Sequence, residues 1–227
     1  MIGLPRVHHR LTDSTNERAR ELAGMGAAHG TVVTADEQTA GRGRQGRTWT
    51  AAPGEALLTS IVVRGLAPRH ALLPMMAALA VCEAAESVAP VRCEIKWPND
   101  VWLERLKLSG ILVEARPAAG WAVVGIGLNT SVREFPEELR EIATTLHIDR
   151  PDDALQPLLR SFDRWESADA DEILAAWRKR DALEGSSVGW QDGEGIARGV
   201  DAEGSLIVET ATGERVALGA GEVHLRR

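Results

Sequence analysis

The chain has 227 residues, a formal net charge of −7 and 44% hydrophobic residues, enough for one sizeable buried core with a small appended domain. The acidic balance argues against a general nucleic-acid binder, which presents net positive charge. Cys82 and Cys93 are too far apart for a CxxC pair, so no disulfide framework or zinc site is expected, and the expected setting is reducing and cytoplasmic.

The opening MIGLPRVHHRLTDSTNE lacks the apolar core of a signal peptide. His8 and His9 are adjacent but have no partners at ligand spacing, so a solvated or packed pair is expected. Ser14-Thr15-Asn16-Glu17 has the S-x-x-E form of a capping box, predicting a short helix to about Leu22 that Gly24 and Gly26 end. TVVTADEQ reads as a strand running into GRGRQGRTW at residues 41–49, and LLTSIVV as a further strand. Residues 69–88 have helical spacing and few charges, predicting a largely buried helix. Its apolar run ALLPMMAALAVC is read as broken by Pro74 and too short to span a bilayer, so no membrane partner is expected.

RCEIKW is a strand, Pro98-Asn99-Asp100 a turn and VWL a return strand. LSGILVEA and WAVVGIGLN look like paired strands. Helices are expected around residues 154–165 and from 171 to about 183. From Gly185 short strands alternate with turns, suggesting a small β-barrel. The division predicted is therefore 1–184 and 185–227. Because strands and helices do not alternate regularly, the fold class expected is α+β with a mixed or antiparallel sheet.

The loop at residues 41–49 places Arg42, Arg44 and Arg47 in an acidic chain. Gly41, Gly43 and Gly46 satisfy G-x-G-x-x-G, and residues 41–48 nearly satisfy a P-loop with Arg47 in place of lysine. Both motifs require a helix to begin there, and Pro53 and Gly54 interrupt that stretch. Two readings remain. Either the guanidinium forks converge on one phosphate or carboxylate, with Trp49 offering a stacking face, or the loop is solvated and Trp49 belongs to the core.

GRGRQGRTW, KWPNDV at 96–101, KLSGILVE at 107–114 and GIGLN at 125–129 occur in the order and approximate spacing of biotin protein ligases. Ser14 to Asn16 and Gln38 fit as well. The resemblance runs from about Thr12 to the C-terminus, where GIARGVDAEGSLIVE and GEVHLR resemble that family's SH3-like barrel. It implies a biotin/lipoate ligase-like catalytic domain and activation of biotin by ATP to biotinyl-5′-AMP. The biotinyl group then passes to a lysine of a biotin carboxyl carrier domain of acetyl-CoA carboxylase or a related carboxylase. Biotin binding is implied for Ser14, Thr15, Asn16, Gln38, Gly41, Arg42, Gly43, Arg44, Lys107 and Gly110. ATP or AMP binding is implied for Arg44, Arg47, Trp49, Lys96, Asn99, Asp100, Asn129 and Arg226. Lys107 and Arg44 are the catalytic candidates, and Asn99 with Asp100 the candidates for Mg²⁺ arriving with ATP.

Each assignment has a structural alternative: Lys107 as a surface lysine at a hairpin edge, Pro-Asn-Asp as a turn, S-T-N-E as a helix cap. Rival functions are a lipoate or octanoyl transfer enzyme of the same fold, and a module that binds biotin or nucleotide without turnover. A covalent AMP route through Lys107-Leu-Ser-Gly110 is a third, although Ser109 replaces the aspartate of K-x-D-G. With barely a dozen residues before the S-T-N segment, no DNA-binding domain is expected. Either a monomer or a homodimer fits.

Overall fold

The apolar run LLTSIVV forms the middle of the molecule. In the computed structural model, which describes residues 2–219 and 221–226, β3 (Ala56–Arg64) and β7 (Trp121–Asn129) are buried nearly throughout. A strand covered on both faces reads as a continuous apolar run. Around this pair the sheet has the order β1-β2-β3-β7-β6-β5-β4, with β1 (Arg6–Thr12), β2 (Val32–Gln38), β4 (Glu94–Lys96), β5 (Asp100–Leu103) and β6 (Leu106–Arg116). β1 runs parallel to β2 and the other pairs are antiparallel, so of the mixed or antiparallel α+β sheets expected from the sequence the mixed one is present.

Alternation along β3 supplies two cores. Val62, with Val33 and Val123, meets Ala19 and Ala23 of α1 (Thr15–Gly24) on one face. Ile61 and Val63 turn to the other face, as the two-residue period of a strand requires. That face carries α2 (Leu73–Val88), against which α3 (Asp152–Ser167) packs Leu155, Leu158, Leu159 and Phe162.

Three local expectations need correction. Ser14 is the N-cap residue of α1, but its side chain makes no cap hydrogen bond. Glu17 reaches Arg20 and Arg42 instead of returning to the cap. Pro74 does not break the apolar run. It sits in the first turn of α2, where a missing N–H costs nothing, and the helical stretch Pro68–Val88 is long and apolar enough to cross a membrane. Here it is a core helix, with Met76 to Cys82 all buried. Finally, α4 (Ala170–Arg178) ends before residue 183, because Asp181 and Ala182 leave the helix to pair with Ile95.

The C-terminal strands β8 (Ser187–Trp190), β9 (Gly193–Val200), β10 (Leu206–Glu209), β11 (Arg215–Leu218) and β12 (His224–Leu225) form a five-stranded antiparallel sheet in the order β11-β10-β9-β8-β12. Among the described residues its edge strands β11 and β12 are not paired, so the small barrel is not closed by a ladder.

A side-chain hydrogen bond bridges the two sheets, and an arginine fastens the segment between α4 and β8 to α2. The Trp97 indole N–H donates to the Gly204 carbonyl at 3.0 Å. Arg180 donates to both carboxylate oxygens of Glu86 at 2.6 and 2.8 Å and to the Cys93 carbonyl at 3.1 Å.

Asp181, beside this junction, carries a testable cost. Burial pushes its carboxyl up to about 6. One oxygen accepts from the Leu183 N–H at 2.8 Å, and the other is buried without a hydrogen-bond partner among the described residues. With a folded value above the unfolded one, the favourable protonated form is fully present below about pH 4 and is lost as pH rises through 6. Asp181→Asn should therefore stabilise the fold by about 1–2 kcal/mol at pH 8 and give no gain at pH 4. Urea unfolding at both pH values measures this; an equal effect at the two would refute it.

Candidate active site

Two glycines facing each other across a strand pair set the floor of a cavity of about 970 Å³, a volume at the upper end of small-molecule sites. Gly110 of β6 pairs directly with Gly127 of β7. The Trp49 indole lies over both. A Cβ built on Gly127 would stand 2.4 Å from Trp49 Cε2, and one on Gly110 would stand 2.9 Å from Cζ3. Only strands without side chains at these positions let the ring descend this far. Its indole nitrogen is buried with no hydrogen-bond partner among the described residues.

Two residues along β7, Gly125 does the same for Asn16, whose Oδ1 would lie 1.9 Å from an added Cβ. Ser60, opposite Gly125 in β3, places its hydroxyl 2.7 Å from Asn16 Oδ1 and 2.9 Å from Thr15 Oγ1. Thr15 donates its backbone N–H (2.7 Å) and its hydroxyl (3.0 Å) to Gln38 Oε1. Ser14, Thr15 and Asn16 are all buried. Among the described residues the Ser14 hydroxyl and the Gln38 amide nitrogen have no hydrogen-bond partner. They leave a donor–acceptor pair and a donor facing one end of the cavity.

The other end is cationic. Lys107 Nζ lies 2.7 Å from Asp100 Oδ1, an ion pair outside hydrogen-bond geometry, and 5.9 Å from the centre of the Trp49 ring. Arg44 donates to Asn99 Oδ1 (3.2 Å) and to the Gly221 carbonyl (3.3 Å). Arg47 forms an ion pair with Glu222. Burial lowers the pKa of Lys96, and the charges of Lys107 and Arg47 add to this while Asp100 opposes it. Burial lowers that of Arg44 too, with Arg47 acting in the same sense and Asp100 against it. Cations this crowded and desolvated suit a polyanion, whose charge would compensate them.

The three loop arginines do not meet at one point. The loop is a tight hairpin, bridged between Arg42 and Thr48, with Gly43 N–H on the Arg47 carbonyl at 2.7 Å. Gly41 is pressed against the Trp49 carbonyl. Arg44 and Arg47 face the cationic end, whereas Arg42 turns to Glu17 and Glu114 at 3.5 and 3.2 Å. Asn129, buried at the end of β7, donates to the Thr144 carbonyl at 3.0 Å. Arg226 lies over Gly189 and lines the cavity. Asn99 Nδ2 donates to the Ile111 carbonyl at 2.8 Å.

Among the described residues no cluster of three His, Cys, Asp or Glu side chains stands ready for a metal. One carboxylate and one amide fit a Mg²⁺ that phosphates and waters mainly hold.

Sequence reasoning gave no role to three parts of the site, the last of them inside the GIGLN stretch it had singled out. The wall formed by Phe135, Leu139, Ile142 and Ala143 lies in a segment with no period. It is fastened to β6 by the Lys107 N–H on the Ile142 carbonyl and the Thr144 N–H on the Lys107 carbonyl. Its signal was a set of large apolar residues among charges. Ser60 carried no signal inside an apolar strand. Gly125 and Gly127 did, since glycines two apart on one strand mark a close approach.

Residues 9–131 match the model of the biotin/lipoate A/B protein ligase family, and residues 191–226 that of the biotin protein ligase C-terminal domain. The chain is 38% identical over 237 residues to a biotin–[acetyl-CoA-carboxylase] ligase of Mycobacterium tuberculosis, covering 95% of this chain and 87% of that one. It is 34% identical to the bifunctional ligase/repressor BirA of Bacillus subtilis, covering 94% and 72%. The biotin protein ligase of Aquifex aeolicus, solved with biotin and ATP, superposes with a TM-score of 0.84 at 30% identity, covering 99% of this chain and all of that one. The chain therefore belongs to the biotin protein ligases, within the biotin/lipoate A/B protein ligase family.

Proposed function

We propose that this chain activates biotin with ATP and passes the biotinyl group to a lysine of a carboxylase carrier domain, with residues 1–184 as the catalytic part and 185–227 as the appended domain. A carboxylate oxygen of biotin attacks the α-phosphorus, and the bond to the β-phosphate breaks. Pyrophosphate leaves, and the acid is now a mixed anhydride with AMP. The carrier lysine's amine then attacks the acyl carbon, AMP departs and the amine proton goes to solvent.

One observation carries the proposal: a single cavity joins a polar end at Ser14, Thr15 and Gln38 to a cationic end at Arg44, Lys96 and Lys107, with Trp49 seated on bare glycines between them. Two mutually repelling anions need positive charge before they can react. The Ser14 hydroxyl and Gln38 amide take the ureido ring, with Thr15 and Asn16 holding that end in shape. Arg42 and Gly43 bound the acid chain. Arg44 and Lys107 meet the α-phosphate, and Arg47, Lys96 and Arg226 the leaving phosphates. Trp49 stacks on adenine and Asn129 reads its edge. Mg²⁺ supplies charge neutralisation to the triphosphate, and Asn99 with Asp100 would flank it. The two buried thiols suit a reducing, cytoplasmic setting.

The test is pyrophosphate release in the presence of ATP with biotin, with lipoate, and with neither acid. Release dependent on biotin and at least about 100-fold slower with lipoate is expected, since a site built around a ureido group leaves its polar atoms unpaired without one. Equal rates with lipoate would sink the biotin assignment, and no release with either acid would reduce the chain to a binding module.

A further inference from the structure

Resting on the biotin reading above, we infer that Glu114 is a positioning residue for the biotin pocket: it fixes the Asn16 carboxamide and ties it to the arginine loop. Glu114 stands on the same face of β6 as Gly110 and Leu112, the face turned to the cavity. It does not itself line that cavity, so any effect on biotin must pass through its neighbours.

Asn16 is almost fully buried and its amide can point one way only. Its oxygen receives Ser60, which leaves the Nδ2 hydrogens in need of acceptors. Glu114 Oε2 accepts one at 3.0 Å, and the alternative, the Leu112 carbonyl, lies at 3.4 Å. Without Glu114 a buried N–H is poorly paired, a situation that costs more than the hydrogen bond itself contributes. The amide would turn or shift, and Thr15 shares the Ser60 hydroxyl with it. Arg42 Nη1 donates to the same Oε2 at 3.4 Å and lies 3.2 Å from Oε1, and Arg20 Nη1 lies 3.9 Å from Oε1. One carboxylate thus spans helix α1, strand β6 and the loop that follows β2. Gly125 belongs to the same device, since any side chain there would expel Asn16.

Glutamine separates the two functions. Its amide oxygen still accepts from Asn16, but the charge facing Arg42 is gone. Biotin affinity measured by calorimetry should fall at least about 10-fold in Glu114→Ala and stay within about threefold of the parent in Glu114→Gln. ATP affinity should be unchanged in both, and thermal unfolding reports any loss of fold.

If Glu114→Ala does not fold, Asn16→Asp supplies the second route. Two carboxylates face each other there, biotin binding drops, and adding Glu114→Gln restores at least part of it by giving the aspartate a donor. The proposal is overturned if Glu114→Ala binds biotin as the parent does, if alanine and glutamine are equally harmful, or if the Asn16→Asp loss is not relieved by the second change. A parent chain that binds no biotin overturns the ligase reading itself, an outcome distinct from a defect confined to the variants.

Discussion

Replacing Lys107 by alanine is expected to slow biotin-dependent ATP–pyrophosphate exchange by about 10²–10³ while biotin affinity stays within about threefold. The magnitude is that of removing one preorganised charge from a developing anion, about 2.7–4 kcal/mol of transition-state stabilisation. Two features make this position sensitive. Lys107 enters β6 with its backbone clamped to Ile142 and Thr144, and its ammonium pairs with Asp100 instead of standing free on a hairpin edge. Its removal also leaves Asp100 without the ion-pair partner at 2.7 Å, and an uncompensated carboxylate beside the proposed α-phosphate site would add repulsion to the lost attraction. Biotin binding is expected to escape because the residues proposed for the ureido ring lie on α1, β2 and β3. Exchange at the parental rate, or loss of biotin binding in parallel, would remove Lys107 from the role proposed for it.

Gly127→Ala should raise the KM for ATP at least about 10-fold with little change in the unfolding temperature. Gly127 is not in a left-handed conformation, so alanine fits the backbone and the effect is steric alone. The new methyl would meet the Trp49 indole at 2.4–2.8 Å. Trp49 must leave its seat, and with it the surface on which adenine would lie, worth about 1.5–3 kcal/mol for a ring of this size. The double variant with Trp49→Ala provides the check. If the methyl acts through the ring, the two effects do not add; fully additive effects would show that Gly127 serves the strand and not Trp49.

The sequence by itself determined where every strand of the central sheet lies except β1, whose RVHHRLT has no apolar alternation, and which short stretches carry the chemistry. It left the sheet mixed or antiparallel, and the parallel β1–β2 pair made it mixed. Period-two runs, turn residues and the loop at 41–49 are local signals, and the resemblance tied them to one family. The sequence reading misjudged Glu17 and Pro74 because local rules admit two outcomes. An S-x-x-E segment caps a helix unless nearby cations, here Arg20 at 2.9 Å and Arg42 at 3.5 Å, claim the glutamate. A proline ends a helix or begins one according to which turn it occupies.

Only the tertiary structure decided what each site residue faces. Trp49 rests on Gly110 and Gly127, Asn16 on Gly125, Arg44 on the Gly221 carbonyl 177 residues away, and Lys107 along a wall with no periodicity. Such pairings follow from strand order and register, which bring distant segments within 3 Å of each other. No pattern confined to neighbouring residues encodes them, because the free energy that selects them comes from burying the whole sheet between its helices.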